Sequence, residues 1–422
     1  MILQMLFVAP NHNSIGSEVS KKFENPHSDH FYNYQSDFES FNHFESRFNR
    51  FLSFWNIKGA SVAVARDGKL IYAKGFGLSD VKDSKEVEPY NLFRIASVSK
   101  LITATAIMKL VEDHKLTLDD KVFGPDGILN MAPYDTYRDK KVEEITVRHL
   151  LEHSGGWTTR YGDPLFEQHA LARRYGYEEP LSSEDIIAIM LKKRLQFRPG
   201  EASYYSNLGF VILGKVIEAV SGVDYELFVK AKILYPLGIF DMKLAENHRS
   251  NKDKLEVNYY EQPGAIKIED CNGSGELVSK SNGGNNVTSL GAAGGWIASS
   301  TDLMKLLLAV DGFNFPADIL SEHSLTTMAT PKAIGYSPLG WRTTNRHGYW
   351  LRTGSFAGTS CVLKRRPDGI SYVILCNTSA WVGPDFPFKM ASFTDRELNR
   401  INTFPDENKY QKMPSVYISL KN

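Results

Sequence analysis

The sequence predicts an α/β fold of the α+β kind, in which one antiparallel sheet is built from both ends of the chain and flanked by helices. A long, mostly helical section is inserted between the two ends. Three observations carry this reading. Asp67-Gly68 sits between two apolar runs, 60–66 and 69–75, and Asp-Gly in that setting is a strong hairpin signal. A second pair of strand-like runs, 359–365 and 370–376, flanks Arg366-Pro367-Asp368-Gly369 near the other end. Between the hairpins the periodicity changes, and 101–114, 145–153, 183–194, 207–221 and 224–236 read mostly as helices.

In chain order, residues 1–10 (MILQMLFVAP) are apolar but short, and no basic flank precedes them. They read either as the remnant of an export signal or as an apolar tail. Residues 1–42 together read as an N-terminal arm or leader remnant. From Ser20 to Asn42 there is no Leu, Ile or Val, and the apolar residues are Phe and Tyr, as in an arm laid over a core. Residues 43–422 read as a single domain, with the sheet part at about 43–115 and 290–422 and the helical insertion at about 116–289. Phe44, Phe48, Phe51, Leu52 and Trp55 fall at helical spacing, so a helix precedes the first hairpin. Ser182, with Asp185 three residues on, is able to cap a helix starting near 183. Around 250–300 the chain turns rich in Gly, Asn and Ser. The runs 282–286 and 291–295 there read as loop material beside a cleft.

Composition excludes classes of partner. Lys plus Arg number 49 and Asp plus Glu number 49, so no polyanion-binding surface dominates and no nucleic-acid partner is expected. No run approaches the roughly 18 apolar residues of a membrane-spanning helix, so no transmembrane segment is expected. Three Cys are too few for a disulfide scaffold. Cys361 and Cys376 flank the second turn without facing each other, and are expected as free buried thiols. Nothing in the sequence selects an oligomeric state.

The chemistry gathers in three places. In Arg94-Ile95-Ala96-Ser97-Val98-Ser99-Lys100, a helix starting at Ser97 would set Ser97 and Lys100 on one face. The amine could deprotonate the hydroxyl, and the free N–H of Ser97 could meet the resulting oxyanion. The plainer alternative makes Ser97 a helix cap and Lys100 a solvated lysine. Second, Tyr205-Ser206-Asn207 stands between a Pro-Gly turn and an apolar helix. A phenol near an ammonium can act as general base and then general acid. Asn207 offers a donor and an acceptor, suited to Lys100 and a substrate amide. Alternatively they are a wall residue and a cap. Third, Arg352-Thr353-Gly354-Ser355 reads as a strand edging the cleft. There Gly354 admits a ligand and the Ser355 N–H completes a two-donor oxyanion hole with Ser97. The alternative is a strand-edge turn with a surface arginine. His149 and His153 lack the His-Glu-x-x-His pattern and read as structural, and no metal or organic cofactor is expected.

In this order the three pieces resemble the serine β-lactamase-like family, most of all its Ser-x-x-Lys, Tyr-x-Asn branch of class C β-lactamases, D-alanyl-D-alanine carboxypeptidases, D-aminopeptidases and family esterases. The stretches at 145–156 (ITVRHLLEHSGG) and 294–303 (GGWIASSTDL) are similar to it as well, and the resemblance covers about 45 to 380. It implies Ser97 as nucleophile, Lys100 as its proton partner, Tyr205 as general base and Asn207 as a positioning residue, all in a catalytic domain of β-lactamase/transpeptidase type. The chain departs from the pattern at Arg352-Thr353-Gly354, where the family carries Lys-Thr-Gly or His-Thr-Gly. Arginine keeps the positive charge and can grip a carboxylate bidentately, but it does not give up its proton.

The expected function is therefore a serine hydrolase acting through an acyl-enzyme on an amide or ester. It would be D-amino-acid peptidase/carboxypeptidase-like, or an esterase, with a small-molecule or short-peptide substrate. A class C-like β-lactamase, or a non-hydrolytic binding or scaffolding protein retaining the fold, are the alternatives. A cell-wall peptide or extracellular ester as substrate would place it outside the cytoplasm, periplasmic or extracellular.

Overall fold

The computed structural model describes residues 30–412, so the apolar run 1–10 lies outside the described residues. In chain order, α1 (Asn42–Phe54) leads into β1 (Gly59–Arg66), β2 (Lys69–Asp80) and β3 (Lys85–Glu86). A short β4 (Phe93–Arg94) and a tight turn at Ala96–Val98 precede α2 (Ser99–Glu112). The middle holds α3 (Val147–Leu151), α4 (Gln168–Tyr175), α5 (Ser183–Leu191), α6 (Asn207–Ser221) and α7 (Tyr225–Val229). Then come β5 (Lys243–Leu244), β6 (Ile268–Glu269), β7 (Leu277–Val278), α8 (Val287–Gly294), β8 (Trp296–Ala298), α9 (Ser300–Leu308) and α10 (Glu322–Ala329). The chain closes with β9 (Thr343–Thr344), β10 (Trp350–Phe356), β11 (Thr359–Arg365), β12 (Ile370–Cys376) and α11 (Phe386–Leu398).

The main sheet has seven strands in the order β3-β2-β1-β12-β11-β10-β9. Its central seam joins the two chain ends: β1 pairs antiparallel with β12, Val62 opposite Ile374 and Val64 opposite Tyr372. The first hairpin turns as its sequence requires. Asp67 has φ 49° and Gly68 φ 76°, the two positive values of a type I′ turn. In the second hairpin Cys376 lies opposite Ser360 and Cys361 opposite Leu375, and both thiols are free and buried.

Alternation along β1 divides the core. Val62 and Val64 face α1 and α11, where Phe44, Phe48, Leu52, Tyr372, Phe386 and Phe393 close one apolar layer. Ala63 and Ala65 face the other way, into the larger core with α2, α6 and α9. Ser61 Oγ meets Ser300 Oγ at 2.7 Å, tying β1 to α9 on that side. The described part of the N-terminal arm touches both layers: Phe31 is buried in the larger core, and Phe41 stacks on Tyr72 in the first layer at 4.1 Å between ring centroids. Among the described residues no helix is long and apolar enough to cross a membrane.

Three elements differ from the sequence reading. The helix expected at 145–153 is only Val147–Leu151, because His153 adopts φ 59° and turns the chain. The helix expected to start at Ser97 starts at Ser99, and Ser97 stands in the tight turn before it. Gly291–Gly295, read as loop, mostly belongs to α8, which is broken at Gly291 (φ 34°, ψ −112°). Glycine suits that conformation, and the break turns the last carbonyls of α8 toward α2.

Phe48 is fully buried between α1 and the sheet. Phe48→Ala is expected to cost about 3–5 kcal/mol, read in urea denaturation as a lower midpoint at an unchanged m value.

Candidate active site

The turn that carries Ser97 is strained and tightly backed. Ala96 has φ 47°, in the left-handed region that non-glycine residues avoid. Directly behind it runs β10. A Cβ on Gly354 would lie 2.2 Å from the Ile95 carbonyl oxygen and 3.1 Å from the Ser97 nitrogen, so only glycine allows this approach. The neighbour that requires glycine at 354 is thus the backbone of the Ser97 turn. Strand β9 pairs with β10 only at Trp350 and Leu351. The two-residue turn after Phe356 makes Phe356–Thr359 a hydrogen-bonded pair, so Gly354 and Arg352 bond across to β11. The backbone groups of Thr353 and Ser355 are left for the opposite edge. Burial alternates in step: Arg352 and Gly354 are buried, Thr353 and Ser355 half-buried.

Around Ser97 the other groups converge. Its Oγ lies 2.6 Å from the Tyr205 hydroxyl and 3.3 Å from Lys100 Nζ. Lys100 is 0% exposed, so it is no solvated lysine. It donates to Asn207 Oδ1 at 2.6 Å and to the Ala293 carbonyl at 2.5 Å. Its ammonium also stands 5.0 Å from the Tyr205 ring centroid and 5.6 Å from that of Phe210. Burial pushes the Lys100 amine down to about 8, with Arg352 pressing the same way and Tyr205 and Asp163 opposing. For Tyr205 burial alone would raise the phenol, but the charges of Lys100 and Arg352 outweigh it and the net direction is down.

Arg352 is 1% exposed, so the surface-arginine alternative does not hold. Its Nε donates to the Ser97 carbonyl oxygen at 2.7 Å. Burial brings its guanidinium down to about 10, helped by Arg342, which leaves it charged at neutral pH. Asn207 is the first residue of α6, and the cap is its neighbour Ser206, which accepts from the Gly209 N–H at 3.4 Å. Of the eight residues singled out in the sequence, direct contacts link Ser97, Lys100, Tyr205, Asn207 and Arg352, Gly354 backs the Ser97 turn, and Thr353 and Ser355 are its neighbours on β10.

Three groups had no motif to reveal them. Asp163 accepts from Asn207 Nδ2 at 2.6 Å, which fixes the amide with its carbonyl toward Lys100. Burial raises the Asp163 carboxyl. The Ala293 carbonyl comes from the broken end of α8. His153 packs its ring 4.7 Å from that of Tyr205, and its Nδ1 accepts from the Ser206 N–H at 3.2 Å. Burial, with Lys100 and Arg352 nearby, holds it well below the usual histidine range, so it stays neutral. His149 accepts from the Thr146 N–H at 3.3 Å, a helix-capping contact.

Beside Asn207 opens a cavity of about 200 Å³. A larger hollow of about 450 Å³ lies on the α11 side of the sheet, where Lys364 and Arg366 already pair with Asp395, and it holds none of the converging groups. As to metals, His248, Asp270 and Cys271 are the one such trio among the described residues whose possible ligand atoms lie within 4.8 Å of one another. Burial pushes the Cys271 thiol up to about 11, and His248 Nε2 is engaged by the Asp270 carboxylate at 2.9 Å.

A family profile described as Beta-lactamase matches residues 49–387. The chain is similar to Penicillin-binding protein 4* of Bacillus subtilis (strain 168), 30% identical over 204 residues, which is 47% of this chain and 41% of that protein. It is similar also to Protein flp of Staphylococcus aureus (strain COL), 24% identical over 331 residues, 77% of this chain and 60% of that one. The chain thus spans 41% and 60% of the length of these two relatives. Among solved structures, the octameric penicillin-binding protein homologue from Pyrococcus abyssi superposes with a TM-score of 0.63 at 28% identity, covering 84% of this chain and 77% of that chain. The D-amino acid amidase from Ochrobactrum anthropi SV3, complexed with L-phenylalanine amide, shares the fold at a TM-score of 0.66 and 20% identity, covering 86% and 98%.

The electrostatics can be read directly by carbon-13 NMR of lysine-labelled protein. One resonance, absent in Lys100→Met, is expected to titrate near 8, where an ordinary lysine titrates near 10.5. Arg352→Met removes a charge that disfavours the ammonium, so the midpoint is expected to move up. A Lys100 midpoint at the ordinary value would contradict the burial described above.

Proposed function

The chain belongs to the Beta-lactamase family, and on that premise we propose that it is a serine hydrolase working through an acyl-enzyme on a small amide or ester. In this reading it is D-amino-acid peptidase/carboxypeptidase-like, or an esterase. The observation that carries the proposal is the contact of one hydroxyl, Ser97 Oγ, with a phenol at 2.6 Å and a fully buried amine at 3.3 Å. The Lys100–Tyr205 pair with one proton removed is the base, and because the two groups interact they titrate as a unit.

Tyr205 takes the Ser97 proton while Ser97 Oγ bonds to the substrate carbonyl carbon, whose π electrons move to oxygen. The oxyanion is met by the N–H groups of Ser97 and Ser355, and Arg352 adds positive potential behind it. When the tetrahedral adduct collapses, Tyr205 returns the proton to the leaving amine or alcohol. In the second half Tyr205 takes a proton from water, whose oxygen bonds to the acyl carbon, and returns it to Ser97 Oγ as the ester bond breaks and the acid product leaves. Asn207 and the Ala293 carbonyl hold Lys100 in place through both halves, and Arg352 holds the Ser97 carbonyl. Thr353 and Gly354 set the strand edge along which the substrate lies.

Intact mass after treatment with a small fluorophosphonate tests this. One adduct is expected on the native protein and none on Ser97→Ala (S97A). Tyr205→Phe is expected to slow labelling about 100-fold or more, the scale of a lost general base, with thermal unfolding little changed. A native protein that takes no adduct and hydrolyses no p-nitrophenyl acetate would sink the proposal.

A further inference from the structure

Tyr205 has to present its phenol to Ser97 Oγ at 2.6 Å, yet it stands in an irregular segment, 202–206, just ahead of α6. What holds that segment is the stretch 152–154 that follows α3. Ser203 Oγ donates to the Glu152 carbonyl at 2.6 Å, and the Gly200 N–H to the Ser154 carbonyl at 2.8 Å. Between these, His153 takes two bonds. Its carbonyl accepts from the Tyr204 N–H at 2.9 Å, and its Nδ1 accepts from the Ser206 N–H at 3.2 Å. On an extended chain, N–H groups two residues apart face the same way, and Ser206 is extended (φ −142°, ψ 121°). One residue thus grips the backbone immediately before and immediately after Tyr205.

The imidazole ring adds a third contact. Its centroid lies 4.7 Å from that of Tyr205 and 5.1 Å from that of Phe210, the two rings that flank the Lys100 ammonium. A ring nitrogen that accepts carries no proton, so the imidazole keeps its hydrogen on Nε2. An imidazolium could not accept from Ser206. Burial, with Lys100, Arg352 and Arg342 acting on the ring, keeps His153 neutral.

Resting on the hydrolase reading above, we propose that His153 is the positioning residue of the base, holding the Tyr205 phenol on Ser97 Oγ by gripping the backbone on both sides of Tyr205 and backing its ring. It exchanges no proton and acts only through Tyr205.

Two substitutions separate the contacts. His153→Phe keeps a ring but offers the Ser206 N–H no acceptor. His153→Asn sets Oδ1 on Cγ, as histidine sets Nδ1, and tolerates the left-handed φ of 59°. Carbon-13 NMR of ring-labelled tyrosine reads the phenol without turnover. The resonance absent in Tyr205→Phe is expected to titrate below the ordinary tyrosine value, since burial raises the phenol but Lys100 and Arg352 together bring it lower. In His153→Phe this midpoint is expected to rise as the phenol leaves those charges, and in His153→Asn to stay in place. Fluorophosphonate labelling is expected to slow about 10- to 100-fold in His153→Phe and to recover to within about fivefold of the native rate in His153→Asn. Added to Tyr205→Phe, His153→Phe is expected to slow labelling by less than about twofold more, whereas a general defect in the fold would slow both backgrounds alike. If His153→Phe does not fold, His153→Gly takes its place, because glycine accepts this φ without strain.

An unmoved Tyr205 midpoint in the folded variant, equal losses in both backgrounds, or a His153→Asn protein no better than His153→Phe would each overturn the proposal. Labelling of the native protein with an unmoved midpoint sinks this proposal alone. A midpoint that moves in His153→Phe but not in His153→Asn, in a protein that takes no adduct, sinks the hydrolase reading alone.

Discussion

Everything in the cleft answers to one constraint, the complete enclosure of the Lys100 ammonium. A charge taken out of water costs several kcal/mol unless its hydrogen bonds are replaced. Here the replacements come from the carbonyl of Asn207 at the start of α6 and the carbonyl of Ala293 at the broken end of α8. The faces of Tyr205 and Phe210 complete the enclosure. The two carbonyls belong to different segments, so satisfying one side chain locks α2, α6 and α8 into a single arrangement. The replacement is still incomplete, so burial, with Arg352 pressing the same way, brings the amine down to about 8.

The sheet supplies the other half of the site. Because β1 and β12 pair at its centre, the edge strands reach outward, and β10 comes to lie against the turn before α2. Gly354 permits that approach and Arg352 fixes it through the Ser97 carbonyl. Two buried cations then flank one phenol. Each lowers the pKa of Tyr205, and together they overcome the burial that would raise it. Arg352 acts here through its charge and its grip on the Ser97 carbonyl. Its inability to give up a proton would matter only if a proton had to pass through it.

Legibility in the sequence followed the range of the interactions. Asp67-Gly68 was readable because two adjacent residues alone dictate a type I′ turn. The helices α5 and α6 were readable because their apolar periodicity and, for α5, the Ser182 cap are local. The run 291–295 misled, because small residues there signal backbone break and close approach rather than loop; the helix survives on either side of Gly291 through packing on α2 and α6. Asp163 was hidden inside a Gly-Asp-Pro stretch that reads as a turn, and its partner stands 44 residues away.

By itself the sequence determined which residue types are available for chemistry, in what order, and which local turns and helices present them. Their ionisation was decided only by the tertiary structure. The contacts that hold the buried Lys100 ammonium span 107 and 193 residues, and the one that anchors Arg352 beside it spans 255. Desolvation and the field of neighbouring charges exist only once such distant groups are brought together, so no local pattern encodes them.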